Sequence, residues 1–73
     1  MILLTKINKA PIVVNCDMMQ HIEETPDSVI TLNNGDKVVV TERINEIIEK
    51  IVEYRRRIRR LVDAEYEQQY GKN

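Results

Sequence analysis

Prolines and glycines are confined almost wholly to the first half of this chain. Pro11, Pro26 and Gly35 punctuate residues 1–41, and neither residue type recurs until Gly71. Proline removes a helical hydrogen bond, and glycine inside a helix costs about 1 kcal/mol relative to alanine. The uninterrupted stretch is therefore where a helix can run. The expected architecture is α+β: a single domain over residues 1–73, made of a small five-stranded, mainly antiparallel β unit (1–41), one long amphipathic helix (42–70) and a tail (71–73).

Turn chemistry divides the first part into five short runs. Ile2 to Ile7 comes first, and Asn8-Lys9-Ala10-Pro11 breaks it. Ile12 to Cys16 follows, with a short helical turn at Asp17-Met18-Met19. Gln20 to Glu24 is polar and suits an edge. Thr25-Pro26-Asp27 predicts a turn with Pro26 at its second position. Ser28 to Leu32 and Lys37 to Thr41 flank Asn34-Gly35, the sequence signature of a type I′ hairpin. Ile2-Leu3-Leu4, Ile12-Val13-Val14 and Val38-Val39-Val40 are consecutive apolar runs. Strands solvated on one face alternate instead, so these are expected to be covered on both faces, by the helix and by a neighbouring subunit.

In the second part Thr41 is the expected N-cap, Glu42 suits the positive end of the helix dipole, and Gly71 suits termination. At 100° per residue, Ile44, Ile47, Ile48, Ile51, Tyr54, Ile58, Leu61 and Val62 share one stripe. Such a helix is about 40 Å long, whereas a five-residue strand spans about 17 Å. Its distal half is expected to project, which makes Ile51, Tyr54, Ile58, Leu61 and Val62 the candidates for self-association. A short chain with a small core also favours a homo-oligomer. Beside the stripe, Arg55, Arg56, Arg57, Arg59 and Arg60 spread over about 200° of the wheel. They are the candidate contacts to an acidic protein or an anionic membrane surface. The plainer role is a solvated face, with Glu53 reaching Arg56 and Arg57, and Asp63 reaching Arg59 and Arg60.

Other chemistry finds little to build on. The 11 Lys+Arg nearly balance 12 Asp+Glu, which argues against general nucleic-acid binding. One cysteine excludes an internal disulfide, and Cys16 reads as a small buried hydrophobe. His21 lacks partners at metal-ligand spacing and reads as a surface residue. Glu23 and Glu24, adjacent on a strand, point to opposite faces and cannot converge on one bond, so they read as edge protection. Tyr54, Tyr66 and Tyr70 read as packing residues of the helix. No catalytic residue, cofactor or metal is expected, and the reading is of a non-enzymatic protein. Lys6 and Lys9 interrupt the apolar start before a signal sequence forms, and no apolar run reaches a membrane span, so a cytoplasmic location is expected.

The order of motifs is itself informative. Met1-Ile2-Leu3-Leu4-Thr5 opens the chain, then Ile22-Glu23-Glu24-Thr25-Pro26-Asp27-Ser28-Val29-Ile30-Thr31-Leu32, Asn34-Gly35, Val40 with Glu42, and Ile51-Val52-Glu53-Tyr54-Arg55-Arg56. Over about residues 1–60 this resembles the FlbD/SwrD family of small bacterial flagellar motility proteins. Lys9 departs from the family pattern, where a glycine is common after the asparagine of the first turn, and residues 61–73 extend past the usual tail. The resemblance implies a role in swarming and flagellar power; for the arginine face, contact with a flagellar motor or stator component and a place at the inner face of the cell membrane near the flagellar base are expected. The resemblance carries no catalytic residues. The alternative is an RNA-binding regulator resembling the carbon storage regulator family, which also has five strands, a C-terminal helix and a valine run (here Val38-Val39-Val40) before a basic residue (here Arg43). A β unit with more acidic than basic residues speaks against it.

Overall fold

The computed structural model describes residues 1–70, with backbone alone for Gln69 and Tyr70. The expected tail and the terminating role of Gly71 lie outside the described residues. Five strands precede one helix: β1 (Ile2–Thr5), β2 (Pro11–Val14), a short 3-10 turn (Cys16–Met18), β3 (Met19–Glu24), β4 (Ser28–Leu32), β5 (Lys37–Val40) and α1 (Ile44–Tyr70). The strands form two small antiparallel sheets, β1-β2 and β3-β4-β5. A single antiparallel bridge between Lys6 and Val40, and the Thr41 N–H donated to Thr5 O at 2.8 Å, join β1 to β5. The expected five strands are present, grouped as two sheets rather than one.

Two hairpin loops share one geometry. In the first, Lys6 N–H donates to Ala10 O and Lys9 N–H to Lys6 O, both at 2.8 Å; Asn8 Oδ1 accepts the Ala10 N–H at 3.0 Å. In the second, Leu32 N–H donates to Asp36 O at 2.8 Å and Gly35 N–H to Leu32 O at 2.9 Å; Asn34 Oδ1 accepts the Asp36 N–H at 3.0 Å. Each is a three-residue loop closed by one left-handed residue, Lys9 at φ 76° and Gly35 at φ 94°. This corrects the type I′ expectation, which requires positive φ at Asn34 as well as Gly35. It also ends β1 at Thr5 rather than Ile7, because Ile7 already belongs to the loop and Lys6 makes a lone bridge to Val40, and it lets Pro11 open β2 opposite Thr5. The Thr25–Pro26 peptide is cis, and Thr25 N–H donates to Asp27 O at 3.2 Å, in place of the expected turn with Pro26 second. In β3 the register shifts between Met19 and His21, so Gln20 does not alternate simply with Glu24.

The core is Ile2, Leu4, Val14, Cys16, Ile30, Val40 and Ile47. Its members come from both sheets, from Cys16 of the 3-10 turn and from the first turn of α1, which plugs the space between the sheets. Alternation along the strands exposes the opposite face. Leu3 and Val13 are cross-strand partners and are 57% and 61% exposed, and Val39 is exposed too. Within one chain the three apolar strands are therefore covered on one face only. The helix packs against β1 and β3 and cannot also reach the outer surface.

The paired loops yield a contrast. A non-glycine residue in the left-handed region costs about 1–2 kcal/mol, partly offset by the extra freedom glycine has when unfolded. Lys9→Gly is expected to stabilise the chain by about 0.5–1 kcal/mol. Gly35→Ala, where an added Cβ meets nothing within 4 Å, is expected to destabilise it by about 1 kcal/mol through backbone conformation alone. Denaturant midpoints at equal protein concentration measure both.

Candidate interaction surface on the projecting helix

The direction of α1 is set where it leaves the sheets. Thr5 N–H and Thr5 Oγ1 donate to the two carboxylate oxygens of Glu42 at 3.0 and 2.9 Å. Ser28 Oγ donates to the Glu42 carbonyl. The helix then begins at Ile44, not at residue 42, with Arg43 O accepting the first helical bond from Ile47 N–H at 3.0 Å. Thr41 is not the N-cap, because the helix begins three residues later and Arg43 occupies the cap position. The capping acceptors come from elsewhere. Glu24 of β3 accepts the Ile44 N–H at 2.8 Å and pairs with Arg43 Nε at 2.7 Å; Glu46 accepts the Arg43 N–H at 2.8 Å. Glu46 and Arg43 reproduce one half of a capping box, and Glu24, from a distant strand, satisfies the Ile44 N–H in place of a local cap. Glu24 thus holds the helix end, a more specific role than edge protection.

Burial raises the Glu42 pKa, but the hydrogen bonds from Thr5 and the nearby Lys50 charge outweigh it and hold the carboxyl below the usual glutamate range. A carboxyl with a depressed folded-state pKa stabilises the fold above its unfolded pKa, and that contribution is lost as pH falls through the folded value.

Beyond this junction the stripe of α1 runs out of sheet. Ile47 is fully buried, and Ile44, Ile51 and Tyr54 are half-buried, Ile51 and Tyr54 packing against the core of their own chain. From there exposure climbs: Ile58 is 44% exposed, Leu61 67% and Val62 54%. The helix has 27 residues, about 40 Å at 1.5 Å each, and the molecule is 53 Å along its longest axis but only 22 and 19 Å across. Of the candidate self-association residues, Ile58, Leu61 and Val62 are therefore the ones left uncovered. Ile48, expected on the covered stripe, is half-exposed beside Val52, because it lies at the stripe's edge away from the sheets.

The arginines follow the spacing expectation at Arg59–Asp63 and depart from it elsewhere. Arg55 reaches Asp17 of the 3-10 turn at 3.4 Å, Arg59 pairs with Asp63 at 3.4 Å, and Arg60 folds back to Glu53 at 3.0 Å. Glu53 is therefore taken by Arg60, and among the described residues Arg56 and Arg57 have no ion pair. All these pairs are exposed and contribute little to stability. Asp17, Tyr54, Arg55 and Ile58 line a shallow open groove between the 3-10 turn and the helix. Asp17 is the residue sequence spacing missed, since nothing local links it to a position 38 residues away.

His21 is exposed and Cys16 buried. Among the described residues no cluster of three or more His, Cys, Asp or Glu is placed to hold a metal ion. No described helix is long and apolar enough to cross a membrane.

Residues 1–59 match the family described as FlbD, flagellar and swarming motility proteins. The chain belongs to this family. The match covers the whole β unit, the Thr5–Glu42 and Glu24–Arg43 junction and the first half of α1, and ends within the arginine cluster. Comparison with curated proteins and with solved structures finds no match.

Glu42→Gln is expected to flatten the acid limb of stability. The wild-type chain loses stability as pH falls below about 4.5, and the variant, unable to titrate there, loses less over the same interval while being weaker by about 1–2 kcal/mol at neutral pH. Chemical denaturation at a series of pH values from neutral to acid checks both.

Proposed function

We propose that this chain supports swarming and flagellar power as a non-enzymatic interaction module on the cytoplasmic side of the flagellar base. Its working part is the distal half of α1. The observation that carries this reading is the rise in exposure along one apolar stripe, from a fully buried Ile47 to Leu61 at 67%. An apolar face that continues past its own core loses free energy unless something covers it, at about 25 cal/mol per Å². The proposed cover is another subunit, which makes the active form a homo-oligomer.

The arginines give the oligomer its outward chemistry. Arg56 and Arg60 lie on the side of the helix away from the stripe and stay exposed when the stripe is covered, Arg60 exchanging its solvent-exposed pair with Glu53. They are proposed to meet an acidic surface of a motor or stator component. Exposed guanidinium groups suit carboxylates through paired N–H donors, and such charges govern encounter rate and specificity more than affinity.

Sedimentation of the purified protein tests the first half. At high micromolar concentration the wild type is expected as a dimer or larger species, and Leu61→Asp as a folded monomer, since Leu61 supports nothing in its own chain. A strictly monomeric wild type would sink the reading. For the second half, a deletion strain carrying Arg56→Glu/Arg60→Glu is expected to swim but swarm poorly. Binding to vesicles of anionic lipid would move the contact to the membrane, and tight, salt-sensitive binding to structured RNA would overturn the motility-module reading.

A further inference from the structure

Charge along α1 comes in blocks. Arg55, Arg56, Arg57, Arg59 and Arg60 form a basic block, and Asp63, Glu65 and Glu67 an acidic one immediately after it. The apolar residues Leu61 and Val62 sit at the boundary. The proposed function above has a second copy covering the stripe; resting on that reading, these blocks determine which way the second copy runs.

Two α1 helices side by side and parallel would align each block with itself. The arginines would face arginines, and Glu65 would fare worst. It lies seven residues after Ile58, so on the wheel it falls within about 20° of Ile58, on the stripe itself. In a parallel pair Glu65 would meet its own counterpart across a seam from which water is largely removed, and like charges there are strongly disfavoured. Reversing one helix removes both conflicts when the crossing point lies between the blocks, because each basic block then faces an acidic one. Arg57 borders the stripe beside Leu61 and Glu65 lies on it, four residues to either side of Leu61. Neither has an ion pair within its own chain among the described residues.

We propose that two copies pack antiparallel along the distal halves of α1, about a two-fold axis near Leu61 and Val62. Leu61 and Val62 form the centre, with Ile58 beside them on each side. Glu65 then lies across from the partner's Arg57. The overlap runs from about Tyr54 to Gln69, close to 24 Å at 1.5 Å per residue, and the β units stand at opposite ends. The contact is isologous, so it closes at two copies and does not propagate into a filament. Arg56 and Arg60 stay outward.

Pulsed electron spin resonance on a nitroxide at Glu49→Cys, in a Cys16→Ala background, reads the direction. The labels are expected about 35 Å apart or more in the antiparallel pair, and under about 25 Å apart in a parallel one. Charge exchange reads the register. Arg57→Glu and Glu65→Arg are each expected to raise the dimer Kd about fivefold or more, since two equivalent contacts turn repulsive. The double variant Arg57→Glu/Glu65→Arg is expected within about twofold of wild type. A dimer with close labels, or a double variant no better than the single ones, overturns the antiparallel arrangement and leaves self-association standing. A monomeric wild type removes both.

Discussion

The carboxylate of Glu42 is the point on which this small molecule is assembled. It takes two hydrogen bonds from Thr5 at the end of β1, while its own carbonyl receives the Ser28 hydroxyl from the start of β4. One residue between β5 and α1 thereby ties both sheets to the helix. Among the described residues the core it organises has seven buried apolar members, little for a chain of this size, and Ile47 is the one that the helix supplies. Polar bonds at the rim fix where that single side chain enters. The charge-assisted character of the Thr5 contacts makes them stronger than ordinary hydrogen bonds and keeps the Glu42 carboxyl ionised below its usual range.

How much of this was legible in the sequence follows from how local each signal is. The five strands and the long helix were readable because their signals lie within a few residues: turn dipeptides, apolar runs, and the lack of proline or glycine after residue 41. The type of the Asn34-Gly35 loop was not, since the same dipeptide serves both a two-residue and a three-residue loop, and only the bonding of Leu32 with Gly35 and Asp36 separates them. Thr41 looked like the cap because a threonine before an acidic residue commonly is one. Its N–H is drawn to Thr5, 36 positions earlier, the helix begins three residues later, and the Ile44 N–H goes to Glu24, another partner no spacing rule connects to the helix. The uncovered distal stripe was legible, since it depends only on the lengths of helix and strand. The Arg55–Asp17 contact was not, for the same reason as the cap.

The family match and the structure divide the chain at nearly the same place. Residues 1–59 carry the family pattern, and these include the β unit, the junction and the part of α1 that packs on it. Leu61, Val62 and the acidic block from Asp63 lie beyond it, on the segment with no core of its own to join. What holds the fold and what reaches outward are thus separated along the chain, with the arginines between them. Changes in the distal segment leave the packing of Ile47, Ile51 and Tyr54 on the core in place.

A rod anchored at one end multiplies any play at its base. With about 40 Å of helix beyond the anchor, a tilt of about 10° at Glu42 and Glu24 would sweep the tip sideways by about 7 Å, enough to carry a side chain off the residue it should face. The hydrogen bonds that fix α1 to β1 and β3 therefore act as the bearing of a lever. They set the precision with which everything at its far end is aimed.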